Sequence, residues 1–389
     1  MAAERIVIVG AGPAGLSTAR SYRECGGQGE VTLVGEERTL PYRRPPLTKE
    51  FLRGELDSSE LPIEPEEWFA ANDVQLLLGS RVTAIDPQQG TVTLHGSVQL
   101  LTDAIVLATG AQPARPSIPG IEHSSVRTLR TLPDSEGIRT AAAQGGRATV
   151  IGTGFIGCEA AASLAMRGTG VTLIGEERLP QLERLGEQAA QRITGWLQDL
   201  GVELIGGARV SAVHHGHMVE LDDGRRVDGA PIVLATGVTP RAGLAEDAGL
   251  EVSGGAVVVD ETMRSPDTGG NVLAVGDLAC AFNATAQRPL RVEHWGDALN
   301  HGEVAGRTLA AGDGRWESVP GFWSAIGDRV LKYAAWGDGY DESRLVEGAD
   351  GSFTVWYSRA KATVGVLCHE RDGDYERGRE LIAAGASLP

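Results

Sequence analysis

Short apolar runs, each closed by glycine or another small residue, recur along the chain and set its predicted architecture. Ile6-Val7-Ile8-Val9 runs straight into Gly10-Ala11-Gly12-Pro13-Ala14-Gly15. Val31–Val34, Ala104–Leu107, Ala148–Ile151, Val171–Ile174, Ile232–Leu234 and the apolar part of Asn271–Asp277 are of the same kind. Runs this short and unbroken read as strands buried on both faces. Leu16–Cys25 predicts a helix between the first two of them, and Val82–Asp86 with Thr91–Leu94 predicts an antiparallel pair. In Pro41–Leu52, PYRRPPLTKEFL, prolines pin an extended path up to Thr48, the predicted N-cap of a helix carrying Lys49. Another helix is expected to follow Arg291–Trp295 and run through Ala311. From about Trp316 the pattern changes to short strands with aromatics, Leu331–Ala335, Phe353–Tyr357 and Thr363–His369, and then a helix at Tyr375–Ala384.

The runs repeat in order. IVIVGAGPAG at Ile6–Gly15 returns as ATVIGTGFIG at Ala148–Gly157, VTLVGEER at Val31–Arg38 as VTLIGEER at Val171–Arg178, and ATG at Ala108–Gly110 as ATG at Ala235–Gly237. Each glycine turn has the form G-x-G-x-x-G, Gly10, Gly12 and Gly15 in the first and Gly152, Gly154 and Gly157 in the second. The first glycine allows a tight strand-to-helix turn, the second lets a pyrophosphate approach the backbone, and the third lets helix and strand pack closely. Matched landmarks in one order imply two copies of one dinucleotide-binding fold. Glu36, with Glu37 as substitute, is the expected ribose acceptor of the first copy. In the second, Gly175 stands directly after the strand and Glu176 follows. Glu176 would bond a 2′-hydroxyl and repel a 2′-phosphate, whereas Arg178 could attract one, so NADH is expected over NADPH.

Composition narrows the class further. The chain has 389 residues, 42% hydrophobic and 22% charged, with 53 glycines. That suits a globular chain of about two or three domains with many tight turns. No apolar stretch approaches the roughly 20 residues that span a bilayer. The first residues enter a strand without a basic, apolar leader, so a cytoplasmic location is expected. A net charge of −17 argues against nucleic acid and anionic membranes as partners. Cys25, Cys158, Cys280 and Cys368 are far apart with no C-x-x-C, which argues against a dithiol mechanism. Cys158 follows Gly157 at a helix start, where a thiolate would be favoured, but a small packed residue is the expectation. His214, His215 and His217 lie in a strand–turn pattern without metal-ligand spacing, and no metal site is expected.

Several segments resemble the FAD-dependent ferredoxin reductases that serve bacterial oxygenases, the putidaredoxin reductase and aromatic-ring dioxygenase reductase type. They are Y-x-R-P-P-L-T-K at Tyr42–Lys49, VRTLRTLPD at Val126–Asp134, FIGCE at Phe155–Glu159, NVLAVGD at Asn271–Asp277, RVEHW at Arg291–Trp295 and the closing TVGVLCHERDGDYERGRELI. The resemblance covers essentially the whole chain. It implies an α/β fold of two Rossmann-like dinucleotide-binding domains, for FAD and NAD, plus a small C-terminal α/β interface domain. The implied bounds are 1–113 with 240–314 for FAD, 114–239 for NAD(P)H and 315–389 for the last. Gly243–Gly249 resembles the passage back to the FAD domain.

The resemblance also implies site roles. The flavin contacts would be Gly10, Gly12, Pro13, Ala14, Gly15, Glu36, Arg44, Lys49, Val82, Ala108, Thr109, Gly110, Arg130, Gly276, Asp277, Glu293, His294 and Trp295. Arg130 would return to the flavin domain, Asp277 would hold the ribityl hydroxyls, and the helix after His294 would point its N–H groups at the ring. The nicotinamide half would use Gly152, Gly154, Ile156, Gly157, Glu159, Glu176 and Gly237. Lys49 and Glu159, an expected ion pair at the flavin edge, and Trp323, a route toward an iron–sulfur partner, would be the catalytic residues. The chain departs from the family after Trp323-Ser324, where Ala325-Ile326 replaces an Asp-Gln pair.

The expected activity is an NADH-dependent FAD reductase that passes electrons to a small iron–sulfur ferredoxin feeding a cytochrome P-450 or other oxygenase, as monomer or homodimer. A flavoenzyme acting directly on a small molecule is the alternative, and a signalling flavoprotein of the apoptosis-inducing kind a more distant one.

Overall fold

Apolar strands and glycine turns assemble two parallel sheets of the same design. In a computed structural model, which describes residues 4–389, the chain forms two compact units. One comprises Met1–Arg43, Pro62–Gln112 and Thr239–Phe322, the other Arg44–Leu61, Pro113–Val238 and Trp323–Pro389. Residues 1–3, the start of the expected FAD domain, lie outside the described residues.

In the first unit five parallel strands lie in the order Val272–Ala274, Ala104–Leu107, Arg5–Val9, Glu30–Val34 and Val74–Leu77. The first glycine turn joins Arg5–Val9 to the helix Pro13–Glu24. That helix packs on Trp295–Ala310 through two glycines. A Cβ at Gly302 would stand 2.4 Å from the Ala14 carbonyl oxygen, and one at Gly306 2.6 Å from that of Thr18. The hydroxyls of Ser17 and Ser21 donate to the carbonyls of Leu299 and Glu303 across the same seam. Val82–Asp86, Thr91–Leu94 and Gln99–Leu101 form the antiparallel sheet whose first pair the pattern predicts.

In the second unit the order is Glu203–Ile205, Gly170–Ile174, Arg147–Ile151, Ile232–Leu234 and Val126–Thr128, again all parallel. The closing module is an antiparallel sheet built on Arg329–Ala335, Ala362–His369, Phe353–Arg359 and Glu342–Glu347, with the helix Asp372–Ala384. Ile326, Leu331, Phe353, Tyr357 and Leu367 of this module share one hydrophobic core with Val150, Leu173, Leu185 and Ile193. The α/β class implied by the sequence is the observed one.

Some local expectations are corrected. Thr48 does not cap a helix: Pro45–Thr48 is a 3-10 turn, and Lys49 is the cap residue before the short helix Glu50–Arg53. Adjacent prolines preset the turn's φ angles, and the Thr48 hydroxyl is drawn to Glu159. The last helix starts at Asp372, ahead of the expected Tyr375.

Candidate functional site

The two glycine turns have the same geometry. Gly10 and Gly152 adopt φ of +119° and +111°, and a Cβ there would collide with the carbonyl oxygens of Ala108 and Ala235 at 2.1 and 2.2 Å. A Cβ at Gly15 or Gly157 would meet the carbonyl oxygen of Gly10 or Gly152 at 2.0 and 1.9 Å. The middle glycines differ. A Cβ at Gly12 would meet nothing within 4 Å, and one at Gly154 only the Gln181 amide at 3.8 Å. Folding therefore requires the outer glycines but not the middle ones, whose open space suits a pyrophosphate. Neither helix N-terminus has a side-chain cap or an acid in its first turn, so both present the positive pole that phosphate favours. Each turn therefore fits the pyrophosphate of a dinucleotide, such as FAD or a nicotinamide coenzyme.

Around the first turn, Gly276 has φ +70° and brings its backbone so near Ala14 that a Cβ would stand 3.1 Å from the alanine methyl. The buried Asp277 follows it in a 3-10 turn. The Thr109 hydroxyl donates to the Arg241 carbonyl, and the Arg241 amide donates to the Gly110 carbonyl. Glu36 pairs with Arg241 at 2.7 Å and Arg81 at 3.7 Å, while Glu37 accepts from the Tyr42 hydroxyl. Val82 is buried opposite Leu94. His294 is the cap of the helix Trp295–Ala310, and its ring bonds Asp297 at 3.1 Å and lies 4.5 Å from that of Phe322. Asp297 also accepts from the Gly321 amide. This acid in the first turn moderates the positive pole of that helix. Glu293 pairs with Arg291 at 3.5 Å.

In the second unit the sequence-distant Lys49 and Glu159 meet. Lys49 Nζ lies 2.6 Å from Glu159 Oε2, and the two side chains are 4% and 6% exposed. The same carboxylate oxygen accepts from Thr48 Oγ1 at 2.5 Å, and Oε1 accepts from Ser324 Oγ at 2.6 Å. The ammonium also reaches Thr48 Oγ1 and the Pro45 carbonyl, each at 3.2 Å, which uses all three of its donors. It lies 4.8 Å from the ring centroid of Trp323, which is 44% exposed. Both oxygens of Glu159 and the whole ammonium are thus held in one arrangement at a half-exposed tryptophan. Ser324 and Thr48 are the members of this cluster that the sequence pattern missed. The Arg44 guanidinium donates to the Arg130 carbonyl, so these two expected flavin contacts stand together in this unit.

Ile156 is half-buried at the start of the helix Phe155–Met166. Thr236 and Gly237 are joined to Ala114, whose amide donates to Gly237 and whose carbonyl accepts from the Thr236 hydroxyl. Cys158 is fully buried; burial, then the neighbouring Glu159, pushes its thiol well above the ordinary range. It is a packed residue, as expected, and the helix start does not make it a thiolate. His214 ends a strand and bonds Glu220. Among the described residues no three His, Cys, Asp or Glu side chains come together as a metal site.

Residues 4–302 match the model of the pyridine nucleotide-disulphide oxidoreductase family. The chain belongs to that family. Residues 321–389 match the reductase C-terminal domain. The chain is 31% identical to a probable ferredoxin reductase of Castellaniella defragrans, over 97% of this chain and 93% of the relative. It is 31% identical to putidaredoxin reductase of Pseudomonas putida, over 97% and 92%. Among solved structures it resembles a ferredoxin reductase from Rhodopseudomonas palustris with a TM-score of 0.93 at 27% identity, covering 99% of this chain and 96% of that one. The reductase in a covalent putidaredoxin reductase–putidaredoxin complex gives 0.91 at 29% identity, covering 98% and 93%. The chain is an FAD-dependent NAD(P)H oxidoreductase, as the sequence implies. Although the family name refers to a disulphide, all four cysteines here are free.

Proposed function

We propose that the chain is an NADH:ferredoxin reductase, passing electrons from NADH through FAD to a small iron–sulfur protein that serves a cytochrome P-450 or other oxygenase. The observation that carries this reading is the exposed Trp323 lying on the buried Lys49–Glu159 pair. A protein acceptor needs an accessible electron route and a docking face rather than an enclosing pocket. Ala325 and Ile326, which replace the expected Asp-Gln, turn into the protein interior at 9% and 1% exposure. Apolar and buried, their side chains offer no polar group to a small-molecule substrate, which weighs against the direct small-molecule reading. The names of the relatives, ferredoxin, putidaredoxin and rhodocoxin reductases, point the same way.

When bound, FAD would supply the redox chemistry that links a two-electron hydride donor to a one-electron acceptor. The protein holds the rest in place. In this reading the open space at Gly12 and Gly154 would take the two pyrophosphates, Asp277 would hold the ribityl chain, and Glu36 and Glu176 would hold the two riboses. Lys49 would supply a positive charge that favours the negatively charged reduced flavin, and its contacts with Glu159 and Thr48, with Ser324 bonded to the same carboxylate, hold the ammonium in one arrangement. A cytoplasmic site of action belongs to this reading, supported by four unpaired cysteines. Among the described residues no helix is long and apolar enough to cross a membrane.

The test is NADH-driven cytochrome c reduction with and without added ferredoxins from the source organism. Ferredoxin-dependent turnover is expected. Rapid turnover of a small oxidant with every ferredoxin inert would replace this reading by the direct oxidoreductase.

A further inference from the structure

In both halves the loop after the second strand is stitched to the loop after the third by the same backbone bonds. In the first unit the Gly79 amide donates to the Glu37 carbonyl at 2.9 Å and the Ser80 amide to the Gly35 carbonyl at 2.8 Å. In the second unit Gly207 donates to Glu177 and Ala208 to Gly175, each at 3.1 Å. Gly79 and Gly207 turn the chain with φ of +64° and +69°. Each is followed two residues later by an arginine that returns to the acid after the second strand. Arg81 lies 3.7 Å from Glu36, and Arg209 lies 3.2 Å from Glu176. The matching segments, GSRVTAI at 79–85 and GARVSAV at 207–213, are a further landmark of the internal repeat.

The other charged groups of the second loop are engaged elsewhere. Glu177 accepts from the amides of Leu182 and Glu183 at the start of the next helix. Arg178, the cation expected to attract a 2′-phosphate, is bound to Glu187. Glu176 and Arg209 remain as an ion pair with 68% and 72% of their side chains exposed. A carboxylate accepts two ribose hydroxyls, and a guanidinium binds phosphate oxygens in pairs.

We propose that Arg209 sets the coenzyme discrimination of this chain. It holds the Glu176 carboxylate in place for the ribose hydroxyls of NADH, and it is the cation that receives the 2′-phosphate of NADPH when Glu176 gives way. The proposal rests on Glu176 being the ribose acid. It makes the preference for NADH a moderate one, because the charge that repels the phosphate carries its own counter-charge.

The experiment is calorimetric titration of oxidised, FAD-loaded protein with NAD+ and with NADP+, accompanied by kcat/KM for the reduced forms. Arg209→Gln is expected to weaken NADP+ about tenfold or more and NAD+ by less than about threefold, the scale of a lost charge-assisted contact. Arg209→Lys should restore part of the NADP+ affinity. Glu176→Gln should tighten NADP+, and that gain should vanish in the double variant, since the two residues act as a pair. Arg225→Gln removes an arginine paired within its own turn to Asp223 and should change neither constant. If Glu176→Gln moves neither affinity, the ribose reading and this proposal fall together. If Glu176→Gln shifts the ratio while Arg209→Gln does not, the proposal alone is overturned.

Discussion

Lys49 and Glu159 are the residues whose loss should be felt most, because neither tolerates burial alone. With side chains 4% and 6% exposed, removing one partner strands the other. Glu159→Gln should cost about 3–5 kcal/mol, read as a lower midpoint in thermal or urea unfolding of the FAD-loaded protein. Lys49→Met with Glu159→Leu, which removes both charges, should recover most of that loss. His301 presents the opposite case. It is fully buried against Trp316, with ring centroids 4.4 Å apart, and neither ring nitrogen has a hydrogen-bond partner among the described residues. Burial pushes its pKa down to about 4. The unfolded chain therefore takes up a proton near pH 6.5 that the folded chain refuses until about pH 4. Stability should fall as pH drops through that window, and His301→Phe should flatten the dependence; an unchanged slope of midpoint against pH would refute the assignment.

Within one glycine turn, substitutions should separate by position. Gly157→Ala forces a Cβ onto the Gly152 carbonyl oxygen at 1.9 Å and should destabilise the fold. At Gly154 an added Cβ meets only the Gln181 amide at 3.8 Å, so Gly154→Trp is expected to fold, keep its FAD and resist reduction by NADH. Loss of flavin from Gly154→Trp would reverse the assignment of the two halves. Asp277→Ala should have the complementary effect, weakening FAD retention while leaving NAD+ affinity unchanged, as measured by flavin release and calorimetry.

For the molecule as a whole, a net charge of −17 repels an acidic ferredoxin at long range, so productive encounter has to be steered by local cations. Reduction of cytochrome c through ferredoxin should slow as salt rises. A rate that climbs with salt would mean that overall repulsion dominates and that no basic docking face steers the partner.

The two halves and their glycine turns were legible in the sequence because a phosphate-binding turn needs glycine at fixed spacings, and the repeat of Ile6–Gly15 at Ala148–Gly157 displays that requirement twice. The Lys49–Glu159 pairing was legible through family resemblance, since the residues lie far apart along the chain. Tertiary structure decided the rest. Thr48 points at Glu159 rather than capping a helix, because the prolines before it close a 3-10 turn. Ser324 completes the carboxylate's bonds from the far end of the sequence, which no local pattern records. Arg81 and Arg209 look like ordinary surface cations until matching loop-to-loop hydrogen bonds set each beside its acid. Backbone demands such as a positive φ or a close approach restrict residue type locally and so leave a mark in sequence. The partner of a charge is chosen by which loops the sheets bring together, and that choice exists only in three dimensions.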